Sequence, residues 1–164
     1  MKYKELFGYI DFVQLAELLL EHSKVSGVPL SLGEEGVCHL LVNGEHVVSV
    51  EAGENDNIFC YAHVAMLPDT GNEEVFRALL KANLYGKRTE GLVFALDDIG
   101  TEVVLFREFS CATIDFDSYF KSLQDIVSQL VFWKDEIEKT LSAAGIKTTK
   151  APPPSGTAGT WIKI

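Results

Sequence analysis

The chain has 164 residues and a formal net charge of −10, from 14 basic and 24 acidic side chains. This length is typical of one domain, and a hydrophobic content of 47% is that of a folded protein rather than a disordered one. Nucleic-acid binding requires clustered lysine and arginine. Because the longest basic cluster is Lys87-Arg88, the composition argues against a nucleic-acid partner.

The amino-terminal region lacks the pattern of a signal peptide or a membrane span. Glu5 and Asp11 interrupt the stretch that would form the apolar centre of a signal peptide. No apolar run approaches the roughly 20 residues that a spanning helix needs. The three cysteines are odd in number and widely spaced, which favours buried reduced thiols over a disulfide framework. We therefore expect a cytoplasmic protein that does not insert into membranes.

The first half of the sequence predicts a helix followed by three strands. Apolar residues recur at three- and four-residue spacing between Tyr9 and Lys24, and Gly27 then ends this helix. Asn43-Gly44 is a strong hairpin signal, because a type I′ turn requires positive φ at both central residues. The predicted strands cover residues 36–42, 46–51 and 58–66.

The second half predicts a helix, a hairpin and a long final helix. Asn72 is the expected N-cap of a helix that runs to about Tyr85. A hairpin follows over residues 92–96 and 102–109, and a helical apolar period then continues to about Ala144. The order α-β-β-β-α-β-β-α predicts an α+β fold with a twisted antiparallel sheet packed by helices.

The composition changes after Ile146. Residues 147–164, which we call the tail, contain Pro152-Pro153-Pro154 and end in the apolar tip Trp161-Ile162-Lys163-Ile164. We therefore predict a folded domain over residues 1–146 and a flexible Pro/Gly-rich extension over residues 147–164. Two interpretations of the tip stay open: a frayed end with an incidental tryptophan, or a segment that lies extended along a binding surface of its own protein.

No side chains have the spacing of a catalytic or metal site. Cys60 and His63 are three residues apart on a predicted strand, so they point to opposite faces. His39 and His46 are predicted to lie diagonally on one face of the first hairpin, but two ligands do not make a zinc site, which usually has three. The sequence therefore predicts no enzymatic activity, no catalytic residue, no metal and no cofactor.

Excess apolar surface favours a protein-binding role. The first strands carry apolar residues on both faces, and three predicted helices do not obviously cover all of them. The helix that ends near Tyr85 also has a broad apolar stripe that continues into the following strand. We predict a dimer interface there, formed by Val75, Phe76, Leu79, Leu80, Leu84, Leu92, Phe94 and Leu96.

Short motifs from Leu15 to about Leu141 form a recognisable ordered set. In chain order they are Gly27-Val28-Pro29-Leu30, Gly36-Val37-Cys38, Leu80-Lys81-Ala82-Asn83-Leu84, Gly91 to Asp97 (GLVFALD), Val103-Val104-Leu105, and Trp133 in the last helix. As a set they resemble the CesT/Tir-type class I chaperones of type III secretion systems. The chain departs from that family in the tail, and in Gly33-Glu34, where an acidic-first turn is more common.

The resemblance implies a small acidic homodimer of the bacterial cytoplasm. It would bind the extended amino-terminal segment of a secreted effector and keep it soluble and secretion-competent without ATP, with the secretion ATPase as a further implied partner. A client peptide can add to a sheet edge while its side chains enter pockets. We predict that the first helix and the first sheet bind the effector, through Phe12, Leu15, Leu19, Leu40, Val48 and Val50.

Two other functions stay open. A regulator or scaffold on the same fold would sequester another secretion-system or regulatory protein, and it would select a specific folded partner. A small-molecule-binding domain would instead need a closed cavity of ligand size.

Overall fold

A computed structural model describes residues 9–33, 36–53, 56–146 and 160–162, with side chains described from residue 13 to residue 146 within those ranges. Its elements are helix α1 (Tyr9–Ser26), strands β1 (Val37–Val42), β2 (His46–Ala52) and β3 (Asn57–Met66), helix α2 (Glu73–Asn83), strands β4 (Val93–Leu96) and β5 (Glu102–Ser110), helix α3 (Phe116–Ala143) and strand β6 (Thr160–Ile162). The predicted order of elements is confirmed, and β6 is an addition to it.

The strands form one sheet in the order β4-β5-β3-β2-β1-β6. Neighbours from β4 to β1 are antiparallel, as predicted, whereas β6 runs parallel to β1. The register between β3 and β5 shifts between His63 and Ala65. Such a bulge increases the local right-handed twist of a sheet.

The β1–β2 hairpin has the predicted turn residues but not the predicted register. Asn43 and Gly44 have φ values of 53° and 74°, as a type I′ turn requires. Val42 lies opposite His46, however, so Glu45 is also part of the turn, and its N–H donates to the Val42 carbonyl at 3.1 Å. The pairing is therefore displaced by one residue from that of a two-residue turn.

This displacement separates the two histidines of the hairpin. His39 lies opposite Ser49, and its Nδ1 is hydrogen-bonded to the Ser49 hydroxyl at 2.8 Å. His46 lies opposite Val42, whose side chain is fully buried. Because cross-strand partners share a face and residues 39 and 42 do not, the prediction that both imidazoles lie on one face is wrong.

One face of the sheet packs against α1 and α3 and forms the core. In β1, Cys38, Leu40 and Val42 are buried, whereas the residues between them are half-buried, which is the two-residue period of a strand. Complete burial of one leucine or valine side chain stabilises a fold by about 1.5–3 kcal/mol. The core includes Leu15, Leu19, Leu40, Val48, Val50, Ile58, Leu105, Tyr119, Leu123, Ile126 and Leu130.

Helix α3 is long because its apolar residues keep helical spacing from end to end. The buried set is Tyr119, Ser122, Leu123, Ile126, Leu130, Trp133, Ile137 and Leu141. Asp115 caps the first turn, where its carboxylate accepts a hydrogen bond from the Ser118 N–H at 2.8 Å. Hydrogen bonding to Ser118 lowers the pKa of Asp115. The helix ends before Gly145, close to the predicted end.

Helix α2 begins after Asn72, as predicted, but the Asn72 side chain does not cap it. Its Nδ2 instead donates to the Pro68 carbonyl at 2.7 Å. The helix ends at Asn83 and leads into a 3₁₀ turn over Leu84–Gly86, in which Tyr85 has a φ of 58°. The α-helix is therefore shorter than predicted, because the backbone is already extended at Leu84, with a ψ of 107°, and then enters the left-handed region at Tyr85.

Strand β6 is the only part of the tail among the described residues. Residues 1–8 of the predicted domain and the rest of the tail lie outside them. The boundary at residue 146 therefore stays a prediction.

Candidate protein-binding surfaces

The face of the sheet opposite the core, which we call the outer face, carries mostly apolar, half-buried side chains. Helices α1 and α2 each contact α3 on the core side, so the three described helices lie on one side of the sheet. Because successive residues of a strand face opposite sides of the sheet, the residues between the buried ones face away from the helices. The outer-face set is Val37, His39, Leu41, Val47, Ser49, Glu51, Phe59, Tyr61, His63, Val93, Ala95, Val104 and Phe106.

An open depression of about 390 Å³ lies on the outer face, lined by Glu51, Phe59, Tyr61, Leu96, Asp98, Val104 and Phe106. The rings of Phe59 and Phe106 lie side by side on neighbouring strands, with centroids 6.1 Å apart. The Tyr61 hydroxyl donates to the Glu51 carboxylate at 3.1 Å. Aromatic rings beside carboxylates suit a ligand that presents an apolar side chain and a basic group together.

Gly53 allows the Phe59 ring to take its place beside this depression. A Cβ atom at residue 53 would lie 2.3 Å from Cε2 of Phe59, which is closer than any real contact. The Gly53 N–H also donates to the Asn57 carbonyl at 2.8 Å and so closes the β2–β3 turn. Glycine at this position therefore lets an aromatic ring pack directly over the turn backbone.

The β4–β5 turn brings a second carboxylate to the depression. The Asp97 carboxylate accepts hydrogen bonds from the N–H groups of Thr101 and Glu102, each at 2.7 Å. The hydrogen bond from Glu102, with smaller contributions from Thr101 and Gly100, lowers the pKa of Asp97. Asp97 therefore shapes the turn, while exposed Asp98 borders the depression.

A second apolar surface lies where α2 meets β4. Leu80, Leu84 and Tyr85 are 71%, 61% and 86% exposed, although all three are large and apolar or aromatic. Leu96 on β4 is also exposed. We call these four residues the α2-end patch. Apolar exposure of this kind marks a protein contact more often than an isolated exposed leucine does.

Two side chains hold the backbone beneath this patch. Asn83 makes two hydrogen bonds with Phe94: its Oδ1 accepts from the Phe94 N–H at 2.8 Å, and its Nδ2 donates to the Phe94 carbonyl at 3.1 Å. The Thr89 hydroxyl donates to the Leu92 carbonyl at 2.6 Å. These contacts tie the Ala-Asn motif that ends α2 to the GLVFALD motif of β4, so the two motifs form one structural unit.

The structure divides the residues predicted for the dimer interface. Val75, Leu79, Leu92 and Phe94 are buried within the chain, and Phe76 is partly buried. Leu80, Leu84 and Leu96 are exposed and belong to the α2-end patch. The helical period could not separate these groups, because the apolar stripe of α2 is wide enough to face α3 and the solvent together.

The residues predicted to bind the effector lie mainly in the core. Leu15, Leu19, Leu40, Val48 and Val50 are at most 1% exposed, so a client cannot reach them in this structure. The side chain of Phe12 lies outside the described residues. Both faces of the strands are apolar, so alternation alone could not show which face the helices cover. The accessible side chains of these strands are instead those of the outer face, which include the alternating aromatic residues of β3.

Several titratable groups are buried in the described part of the chain. His22 is fully buried, Nδ1 of its ring is hydrogen-bonded to the Tyr119 hydroxyl at 3.0 Å, and burial lowers its pKa to about 4. All three cysteines are buried and free, as predicted, and burial raises the pKa of Cys38 to about 11 and of Cys60 to about 12. Within the described residues, His, Cys, Asp and Glu form no group of three that could share a metal ion.

Most of the chain matches a known protein family. The model of the Tir chaperone protein (CesT) family matches residues 15–134. No curated protein sequence matches the chain. None of the helices in the described part of the chain has the length and apolar character that crossing a bilayer requires.

Solved structures of protein complexes contain chains with this fold. The chain is similar to a protein in the ExsC-ExsE complex, with a TM-score of 0.63 and 26% identity over 76% of this chain and 93% of that chain. It is also similar to a chain of the HopA1-SchA chaperone-effector complex, with a TM-score of 0.62 and 11% identity over 76% and 95% of the two chains. A third similar structure is the Yersinia pestis type III secretion chaperone SycH with a fragment of YscM2, at a TM-score of 0.57 and 16% identity over 71% and 97%.

Proposed function

Because the chain belongs to the Tir chaperone protein (CesT) family, we propose that it is a type III secretion chaperone that binds the extended amino-terminal segment of a secreted effector in the bacterial cytoplasm. The observation that carries this proposal is the family match over residues 15–134, which begins within α1 and ends within α3. Binding would keep the effector segment soluble and secretion-competent, and it requires no ATP and no catalytic group.

The outer face is the proposed client-binding surface. Its depression offers the rings of Phe59, Tyr61 and Phe106 to apolar side chains, with Glu51 and Asp98 beside them. A net charge of −10 adds a long-range attraction for basic segments. Alternate residues of an extended peptide point the same way. We therefore expect every second residue of the client segment to be apolar or basic.

We also propose that the protein acts as a homodimer through the α2-end patch. The patch is rigid, since Asn83 and Thr89 fix the backbone beneath it, and rigid apolar surfaces lose little entropy on association. A stable interface of this kind buries at least about 1,600 Å² in total. In this proposal each dimer carries two outer faces, one from each protomer.

The test measures binding of candidate effector segments to variants of the outer face. The amino-terminal segments of proteins encoded beside the chaperone gene are purified with it, and affinity is measured by calorimetry. Phe106→Glu places a carboxylate on the depression and is expected to weaken binding at least about tenfold, as loss of a central aromatic contact does. The matched control is Val131→Glu on α3, an exposed apolar residue outside the outer face.

Equal affinity of the two variants would contradict the placement of the client surface. If no segment binds the wild-type chain, the chaperone proposal itself fails. Stable capture of a folded regulatory protein instead of an extended segment would favour the regulator alternative.

A further proposal is that the chaperone–effector complex is what the secretion ATPase recognises. ATPase binding by the complex but not by the free chaperone is the result expected.

A further inference from the structure

The two edges of the sheet are closed in different ways. An edge strand presents free N–H and C=O groups that can pair with any extended peptide. At the β4 edge, the Asn83 side chain occupies both main-chain groups of Phe94, and the Thr89 hydroxyl occupies the Leu92 carbonyl. A peptide could add to this edge only by displacing those side chains. The β4 edge is therefore unsuited to strand addition.

The opposite edge, β1, is closed by the tail of the chain itself. Strand β6 pairs in parallel with the second half of β1, placing Thr160 beside Leu40, Trp161 beside Leu41 and Ile162 beside Val42. This contact is a backbone ladder of only three residue pairs. The buried core, by contrast, extends from Leu15 to Leu141. An edge strand that pairs over so short a length is poorly held by its own ladder.

We infer that the β1 edge is a docking site for one extended peptide strand, and that Thr160–Ile162 is its resident occupant, which a client strand must displace. The β1 edge suits this role because it is the edge that no side chain closes in the described chain, and because the occupant shows that a strand fits. The involvement of a client rests on the proposed chaperone function, whereas occupancy by the tail does not.

The strength with which the tail strand competes with a client strand follows from its attachment to the same chain. A segment on the same chain acts at an effective concentration of about 1 mM for a short tether. If the free segment has a dissociation constant of about 100 μM, the resident strand covers the edge about nine-tenths of the time and weakens a competing strand about tenfold. This is enough to exclude weak peptides while a tighter client segment still binds.

The first experiment uses single proline variants of the full chain. In a parallel edge strand, alternate N–H groups point to the neighbouring strand and to solvent. Proline at one of positions 161 and 162 therefore removes an N–H that faces β1, and proline at the other position serves as the control. The main-chain groups of Val42 face the β1–β2 turn, so by alternation those of Leu41 face β6. Amide hydrogen exchange of Leu41 should therefore accelerate at least about fivefold in one of Trp161→Pro and Ile162→Pro and remain near wild type in the other. No acceleration in either variant would overturn the occupancy.

The second experiment adds the synthetic peptide APPPSGTAGTWIKI, residues 151–164, to the full chain in trans. The labelled peptide should bind the disruptive proline variant at least about tenfold more tightly than the wild-type chain, as measured by fluorescence anisotropy. A scrambled peptide should bind neither. Equal binding of the tail peptide to both proteins, or binding to neither, would overturn a displaceable resident strand.

The third experiment repeats the comparison with the effector segment identified by calorimetry. About tenfold tighter binding to the disruptive proline variant supports displacement by the client, and equal affinity overturns it. If no effector segment binds any variant while exchange and peptide binding behave as expected, the chaperone function fails and the peptide-docking edge stands. The two proposals are thereby tested separately.

Discussion

Protonation of His22 is expected to weaken the fold below neutral pH. The ring is enclosed by Phe116, Tyr119 and Phe120, with centroids 6.3, 5.6 and 5.4 Å away. Burial lowers the pKa of His22 from 6.5 to about 4. Because the folded protein binds this proton less readily than the unfolded chain does, the stability is complete above pH 6.5 and is lost as the pH falls towards 4.

The size of this effect follows from the two pKa values. At full protonation, the interval from 6.5 to about 4 corresponds to about 3.4 kcal/mol of unfolding free energy. Around pH 5 the unfolded chain is nearly fully protonated at this position and the folded protein hardly at all, so the loss is about 2 kcal/mol. This is a large share of the stability of a small domain.

The contribution of His22 protonation can be isolated by urea unfolding of wild type and His22→Phe. Both proteins are measured near pH 7.5 and near pH 5 at one protein concentration. The variant removes the hydrogen bond to Tyr119 at both pH values, so only the difference between the two proteins reports the protonation. The wild type should lose about 2 kcal/mol more than the variant on acidification. Equal losses within about 0.5 kcal/mol would refute a buried neutral His22, as would an NMR titration of its ring with a midpoint near 6.5.

Four further substitutions test the surfaces. Asn83→Ala should cost about 1–3 kcal/mol of unfolding free energy, because it leaves both main-chain groups of Phe94 without partners; a urea midpoint equal to that of wild type would contradict this. Leu80→Asp should dissociate the dimer in light scattering and keep the native circular dichroism spectrum, whereas Leu79→Asp, 5% exposed, should unfold the chain. A folded Leu79→Asp variant would show that α2 packs differently. Gly53→Ala should displace the Phe59 ring and weaken client binding about tenfold with the dimer intact; unchanged affinity would remove Phe59 from the client surface.

Most of the fold could be predicted from the sequence, because the residue pattern of each helix and strand agreed with the order of the elements along the chain. The helical periods, the positive φ at Asn43 and Gly44, the antiparallel hairpins and the buried cysteines were all readable from residue types. These features depend on local chemistry and on period, which a single sequence contains. The structure confirmed them with small changes at element ends.

The sequence could not predict which face of the sheet is buried. Leu40 and Leu41 are adjacent and chemically identical, yet the first is fully buried in the core and the second lies on the outer face. Their difference comes from the packing of α1 and α3, which is a long-range property. The extra turn residue Glu45 and the contact of Asn83 with Phe94 also depend on geometry beyond the local pattern.

The two edges of the sheet are closed by different groups, and this difference limits how copies of the chain can assemble into fibrils. Linear growth of stacked sheets requires two pairing edges on each molecule, one for each neighbour. A chain that lost β6 would expose one such edge and could form a closed head-to-head pair through β1, where growth stops. An open-ended polymer would also need the β4 edge, which is free only if the side chains of Asn83 and Thr89 are lost as well.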